Sequence, residues 1–389
     1  MAERLMFPWI ILGLLTAFYS ATTWLFFVGL GRLREGLNRT TPSVSVILAA
    51  RNEEAYIGAC LESLVRQSYT GPYDITVVDD QSTDGTAKVI RELAGQHPNI
   101  QLIQVEETET GWAPKKYALN QAIENSAGEI ICATDADCTV PPAWIQGLVQ
   151  HFEPSVGMVT GLVQLNQDNR KGSAWARLQA LELFSLFMAA AGGIGMGLAF
   201  SASGGNIAYR REAFRQASGF REIRHLVSGD DDLLLQHMVA KTNWSTRFCA
   251  DPETFVTTEP MAGLRAFFRQ RKRWASKAPH QGPFLLIFLV TTFLVNLSLL
   301  VAIPVTFTLG RWVVPPLACL AVKALSELAV LWRGARMFGR RDLLAIFPLW
   351  ELVHVPYIAV MGLAGLGGGL RWKGRRFARQ GRTDTEIKT

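Results

Sequence analysis

Three acidic clusters could do chemistry together: Val77-Val78-Asp79-Asp80-Gln81-Ser82-Thr83-Asp84-Gly85, Asp135-Ala136-Asp137 and Gly229-Asp230-Asp231-Asp232. Hard divalent cations take oxygen ligands, so two aspartates one residue apart, just past a strand, can aim at a single ion. An ion held there neutralises the negative charge that builds on a departing diphosphate. A hydroxyl nucleophile is weak and needs a carboxylate base within hydrogen-bond reach. Asp231 is the candidate base, with Asp230 as its neighbour and fallback. Each cluster also has a plainer reading: a surface turn for Asp135-Ala136-Asp137, a turn with a helix cap for Asp79 to Gly85, and a solvated helix N-terminus for Asp230 to Asp232. Their occurrence in this order, each at an expected strand end or helix start, favours the chemical reading.

The elements that must position these residues follow from texture. From Ser43 to about Pro260, short β-rich runs alternate with amphipathic stretches, which is the pattern of an α/β fold. Val44 to Leu48, Ile75 to Val78, Asn99 to Val105 and Ile130 to Ala133 read as strands. Glu54 to Arg66, Thr86 to Ala94 and Lys115 to Asn125 read as helices. Ligands of open parallel sheets collect where strand carboxyl ends meet loops, and the acidic clusters lie at such ends.

The flanks have another character. The chain has 389 residues, 49% of them hydrophobic, and a formal net charge of +6. Acidic residues concentrate between Glu53 and Glu259, while arginines crowd the ends of apolar blocks; this asymmetry suits a membrane protein and not a nucleic-acid binder. Phe7 to Leu30 is free of charge and long enough to cross a hydrocarbon core of ~30 Å at ~1.5 Å per residue. Arg32, Arg34 and Arg39 follow it, so the positive-inside rule puts the domain beyond it in the cytoplasm. Arg265 to Lys277, with Leu264, Phe267, Phe268 and Trp274 interleaved, reads as a helix lying on a membrane surface. Phe284 to Leu309 and Trp312 to Trp332 read as spans, the second carrying Lys323 and Glu327 on one helical face. Leu343 to Leu370, with Pro348, Glu351, His354 and Pro356, reads as a kinked span or a re-entrant hairpin. Leu183 to Phe200 is equally apolar, but a crossing there would divide the acidic series between two sides of a membrane. Its glycines suit close packing in a core helix or an acceptor groove. The five cysteines show no zinc or disulfide spacing and are expected as reduced thiols.

From Ser43 to Trp274 the chain resembles the membrane-bound family 2 glycosyltransferases, the group of cellulose and hyaluronan synthases and ceramide glucosyltransferase. The resemblance is carried by Ala50-Arg51-Asn52-Glu53-Glu54, the Asp79-Asp80 segment, Lys115 with Ala118-Leu119-Asn120, Thr134-Asp135-Ala136-Asp137, Ser203-Gly204-Gly205-Asn206, Gly229-Asp230-Asp231 and Gln270-Arg271-Lys272-Arg273-Trp274, which fits QxxRW. It implies a GT-A-like, Rossmann-type nucleotide-sugar-binding domain flanked by transmembrane helices. It further implies that Arg51, Glu53 and Asp80 line the nucleoside site with Asp79 in support. Lys115 would lie near the diphosphate, Asp135 and Asp137 would bind the donor and Mg²⁺ or Mn²⁺, and Asp231 would deprotonate the acceptor. Gln270, Arg273 and Trp274 would flank the pyrophosphate and the acceptor sugar. Gly-Asp-Asp stands where many relatives have Thr-Glu-Asp, and Pro114 where a glycine often precedes the lysine.

The expected organisation is an anchor at 1–31, a cytoplasmic GT-A domain at 40–262, an interfacial segment at 263–282, a transmembrane region at 283–370 and a basic tail at 371–389. The expected activity is inverting transfer from a nucleotide-diphosphate sugar, a UDP-sugar by resemblance, to a lipid-linked or glycan acceptor at the cytoplasmic face of a bacterial inner membrane. A processive polysaccharide synthase is the alternative within the class. A non-catalytic transporter or scaffold, whose intramembrane Lys323, Glu327, Glu351 and His354 would mark a pathway, is the alternative outside it.

Overall fold

A computed structural model describes residues 2–166, 173–310, 312–367, 369–373 and 375–377. In chain order the helices and strands are α1 (Ala2–Leu30), β1 (Val44–Ala50), α2 (Ile57–Val65), β2 (Tyr73–Asp80), α3 (Thr86–Gln96), β3 (Ile100–Val105), α4 (Pro114–Glu124), β4 (Ile130–Ala133), β5 (Cys138–Thr139), α5 (Trp144–Val149), β6 (Val156–Gly161) and β7 (Val163–Leu165). They continue with α6 (Ala174–Gly195), β8 (Ile207–Arg210), α7 (Arg211–Gln216), α8 (Asp232–Lys241), β9 (Ser245–Cys249), β10 (Val256–Thr258), α9 (Leu264–Ala275), α10 (Pro283–Leu309), α11 (Val314–Met337), α12 (Phe347–Leu366), β11 (Leu370–Trp372) and β12 (Arg375–Phe377). These fall into two compact units. One takes Leu33–Gln167, Gly197–Pro260 and Gly369–Thr389; the other takes Met1–Arg32, Asp168–Met196 and Met261–Gly368. The unit borders differ from the 40–262 domain read from sequence in two places: α6 groups with the long apolar helices, and the β11–β12 hairpin groups with the strands.

The strand-rich unit is built on a seven-stranded sheet of order β3-β2-β1-β4-β8-β6-β9. The strands β3, β2, β1 and β4 run parallel, while β8 is antiparallel to both β4 and β6. Val44, Val46, Ile47, Leu48 and Ala50 of β1 are buried, as a central strand covered on both faces requires. The register is what assembles the site. Ala50 pairs with Asp79, and Ile47 with Ala133, so the carboxyl ends of β1, β2 and β4 share one edge. Because β8 runs the other way and Ile207 pairs with Ala133, the start of β8 comes to that edge too.

The second unit holds α1, α6 and α9 to α12. Among the described residues, five helical segments are long and apolar enough to cross a membrane: Phe7–Leu30, Ala174–Gly195, Pro283–Leu309, Val314–Met337 and Arg341–Leu366. Within the last, a 3₁₀ turn at Arg341–Ile346 leads into α12, which continues as one helix through Pro356 with no reversal. The α6 segment is 67% buried, against 33–39% for the other four. Its glycines serve close packing: a Cβ on Gly192 would collide with the backbone of Phe26, and one on Gly195 with that of Gly29, so α1 and α6 meet backbone to backbone.

A polar knot lies inside this apolar unit. The Lys323 ammonium sits 2.9 Å from Glu327 and 2.8 Å from Glu351, with His354 Nδ1 at 3.4 Å, and the Tyr19 hydroxyl donates to Glu327 at 2.5 Å. It ties α1, α11 and α12 together. Charges cut off from water must be paired in this way.

Candidate active site

Lys115 organises the centre of the site. It stands in the first turn of α4, and its Nζ lies 2.8 Å from Asp135 and 2.8 Å from Asp230. Two of the three acidic clusters, about a hundred residues apart in sequence, thus meet on one ammonium. Burial opposes the charge on Lys115, but the two carboxylates prevail and hold it well above the ordinary lysine value. Against the same burial, Lys115 also holds the Asp230 carboxyl below the usual range.

The neighbouring lysine acts on the loop. Lys116 is 1% exposed and donates to the carbonyls of Leu226, at 2.6 Å, and Ser228, at 2.8 Å. It fixes the approach to Gly229, whose φ of +90° favours glycine. Asp231 then caps α8: one carboxylate oxygen accepts from Asp232 N at 2.7 Å, the other from Gly204 N at 3.2 Å. Asp231 thus stands at the N-terminus of α8, but the terminus is not a solvated one, since Asp232 is buried; the Gly204 bond adds a link to the Ser203-Gly204-Gly205 turn. That turn leaves little room for a side chain. A Cβ on Gly204 would stand 3.3 Å from Asp230 and 3.5 Å from Lys115, and one on Gly205 3.5 Å from Asp135. Asn206 has a structural task, its amide bridging the carbonyls of Leu162 and Thr254 while its oxygen accepts from Trp144.

Asp135 and Asp137 sit on a turn just past β4, closed by Cys138 N to Asp135 O at 3.0 Å. The next strand, β5, pairs with β10, and Thr258 Oγ donates to the Asp137 carbonyl at 3.3 Å, so the turn is pinned from both sides. Ligand atoms of Asp135, Asp137 and Cys138 lie within 4.8 Å of one another. Burial pushes the Cys138 thiol up, so it stays protonated and the donors on offer are the two carboxylates, which fit a hard cation. Burial, and then Asp135 beside it, raise the Asp137 carboxyl, while Lys373 and Lys115 oppose the rise.

The third cluster closes the far end. Asp79 accepts from Ser82 N at 3.3 Å, while Asp84 accepts from Thr86 N at 3.0 Å at the start of α3 and from Glu54 N at 3.3 Å. Arg51 donates to the carbonyls of Asp80, at 2.6 Å, and Gln81, at 2.9 Å. Sequence reasoning missed what Asp80 and Glu53 meet. Arg375 Nη1 reaches both Asp80 carboxylate oxygens, at 3.1 and 2.8 Å, and Lys373 Nζ lies 2.6 Å from Glu53. The only sequence signal was the basic character of the segment from Arg371 to Arg382.

The strand-rich unit thus brings together Arg51, Glu53, Asp79, Asp80, Lys115, Asp135, Asp137, Asp230 and Asp231. Gln270, Arg273 and Trp274 belong to the other unit, on α9. There the residue between them, Arg271, is the buried one. It donates to Glu182, which also accepts from Tyr357 at 3.0 Å, and it donates to Gln270 Oε1. Its guanidinium lies 4.1 Å from the Trp274 ring centroid.

Comparison with known proteins shows the family and the fold. The family profile described as "Glycosyltransferase like family 2" matches residues 42–276. The chain belongs to that family, and its sheet is a GT-A-like mixed α/β fold. It is 29% identical over 273 residues to a beta-monoglucosyldiacylglycerol synthase of Nostoc sp., covering 68% of this chain and 55% of that protein. It is 27% identical to an N-acetylglucosaminyltransferase of Rhizobium meliloti, covering 77% and 75%. The chain spans about half the length of the monoglucosyldiacylglycerol synthases it matches. Among solved structures, the mannosyltransferase PcManGT from Pyrobaculum calidifontis, in complex with GDP-Man and Mn²⁺, superposes with a TM-score of 0.58 at 21% identity, covering 92% of this chain and 99% of that one.

Proposed function

We propose that this chain is an inverting, metal-dependent glycosyltransferase that moves a sugar from a nucleotide-diphosphate donor to a lipid-linked or glycan acceptor at the cytoplasmic face of a membrane. The observation that carries the reading is the meeting of Asp135 and Asp230 on Lys115, with Asp137 two residues and Asp231 one residue further along the same loops. Asp135 and Asp137 would hold Mg²⁺ or Mn²⁺, which when bound would neutralise charge on the departing diphosphate. Lys115 adds a fixed positive charge at the same place. Asp230 is paired with Lys115, and Asp231, next to it on the same loop and fixed by Gly204 N, would take the acceptor proton. The acceptor oxygen then bonds to the anomeric carbon as the bond to the diphosphate breaks, and the anomeric configuration inverts.

The names of the relatives support a lipid or sugar acceptor, and the mannosyltransferase solved with GDP-Man and Mn²⁺ supports a nucleotide sugar with a divalent ion. Five apolar helices and the arginines after Leu30 support membrane residence with the strand-rich unit on the cytoplasmic side. The test is a screen of UDP- and GDP-sugars on detergent-purified protein with Mn²⁺ or Mg²⁺, reading nucleoside diphosphate release and the anomeric configuration of the product by NMR. Metal-dependent release with an inverted product is the expected result. A retained configuration, or no release from any donor, contradicts the proposal.

A further inference from the structure

The β11–β12 hairpin holds the residues that the donor reading assigns to the nucleoside. Arg375, 6% exposed, covers Asp80, 2% exposed, and reaches both of its carboxylate oxygens. Lys373, at the hairpin turn, places its ammonium on Glu53, and its carbonyl accepts from Arg51 Nε at 3.2 Å. The Lys373 charge also reaches Asp137, where it opposes the rise of that carboxyl. Three side chains expected to bind the nucleoside are therefore engaged by one short segment, and Asp80 has no surface left for a ligand.

The way the hairpin is attached makes it removable. Among the described residues β11 and β12 pair only with each other, three residues on each side, and join neither of the larger sheets. A two-stranded hairpin of this size is marginal in water on its own, so its ion pairs to Asp80 and Glu53 do much of the holding. Leaving costs no ladder bonds of the main sheet. A donor that brings hydrogen-bonding groups to Asp80 and Glu53 replaces what the departing cations supplied.

We propose that the hairpin is a resident competitor for the nucleoside end of the donor site, a strap that must come off Asp80 and Glu53 before a nucleotide sugar binds. The proposal rests on the donor reading above. A strap that is off in about a tenth of the molecules weakens apparent donor affinity about tenfold, because only the competent fraction binds.

The test uses UDP and GDP as probes with Mn²⁺, titrated calorimetrically into the full chain, the Lys373→Ala/Arg375→Ala double variant, and a chain ending at Gly369. Both altered chains should bind the preferred nucleoside diphosphate about tenfold more tightly, and the KM for its sugar should fall by a like factor. Asp80→Asn in the shortened chain separates the two claims. If it weakens binding while the double variant and the shortened chain bind no more tightly than the full chain, the donor site stands and the strap is refuted. If no chain binds either nucleotide, or Asp80→Asn changes nothing in the shortened chain, the donor reading falls and the strap with it. A shortened chain that unfolds leaves the decision to the double variant, in which weaker or unchanged binding is equally fatal.

Discussion

Lys115 and Lys323 are each held between two carboxylates at nearly the same distances. Lys115 meets Asp135 and Asp230 at 2.8 Å each, while Lys323 meets Glu327 at 2.9 Å and Glu351 at 2.8 Å. Their surroundings differ. The side chain of Lys115 is 18% exposed and that of Asp135 38%, whereas Lys323 is fully buried, with Glu327 at 7% and Glu351 at 10%. The first triad is open on one side and sits at the edge where strand ends meet loops; the second is sealed among apolar helices. An ion pair that faces water can exchange a partner for a ligand, while one sealed among packed side chains is placed to hold its helices together. The sealed knot therefore argues for a clasp, not for the transport pathway considered from sequence.

This contrast predicts that equivalent substitutions separate stability from activity. Lys323→Met strands two buried carboxylates and should destabilise the protein by about 3–5 kcal/mol, seen as a large drop in thermal unfolding temperature in detergent. Adding Glu327→Gln and Glu351→Gln should restore much of the loss; a Lys323→Met protein as stable as the parent would end the clasp reading. Lys115→Met should act mainly on activity, cutting sugar transfer by about 10²–10³-fold with a smaller drop in unfolding temperature than Lys323→Met, because Asp135 can turn to water while only Asp230 is left buried. Gly195→Leu pushes α1 from α6 and should cost about 1–3 kcal/mol or more, read as the same unfolding shift. Asp84→Ala should be the mildest change, removing bonds to Thr86 and Glu54 for about 1–2 kcal/mol with little effect on transfer rates.

The two triads were not equally legible. Lys323 and Glu327 are four apart, so helical periodicity alone puts them on one face. The strands β1, β2 and β4 and the helix α4 could be read from alternation and apolar runs, because local propensity and burial agree there. What joins Lys115 to Asp230 is the antiparallel placement of β8 beside β4, a long-range pairing with no local signature. The same holds for Lys116, whose hold on the Leu226 and Ser228 carbonyls has no local signature, and for Arg375, whose partner Asp80 lies 295 positions away. In the apolar unit, sequence singled out Gln270, Arg273 and Trp274, yet the residue anchored by Glu182 and Tyr357 is Arg271, whose burial no motif reveals.

The central claim is that distant carboxylates serve one transfer reaction. Its most direct test is nucleoside diphosphate release, with acceptor present, by purified Asp231→Asn and Asp137→Asn chains beside the parent. Asparagine keeps the cap on α8 and the shape of the turn at Asp137, so folding should survive. The expected result is parental unfolding temperatures with transfer reduced by about 10²–10⁴-fold in Asp231→Asn, and loss of the Mn²⁺ response in Asp137→Asn. Transfer at the parental rate from a folded Asp231→Asn chain would contradict it.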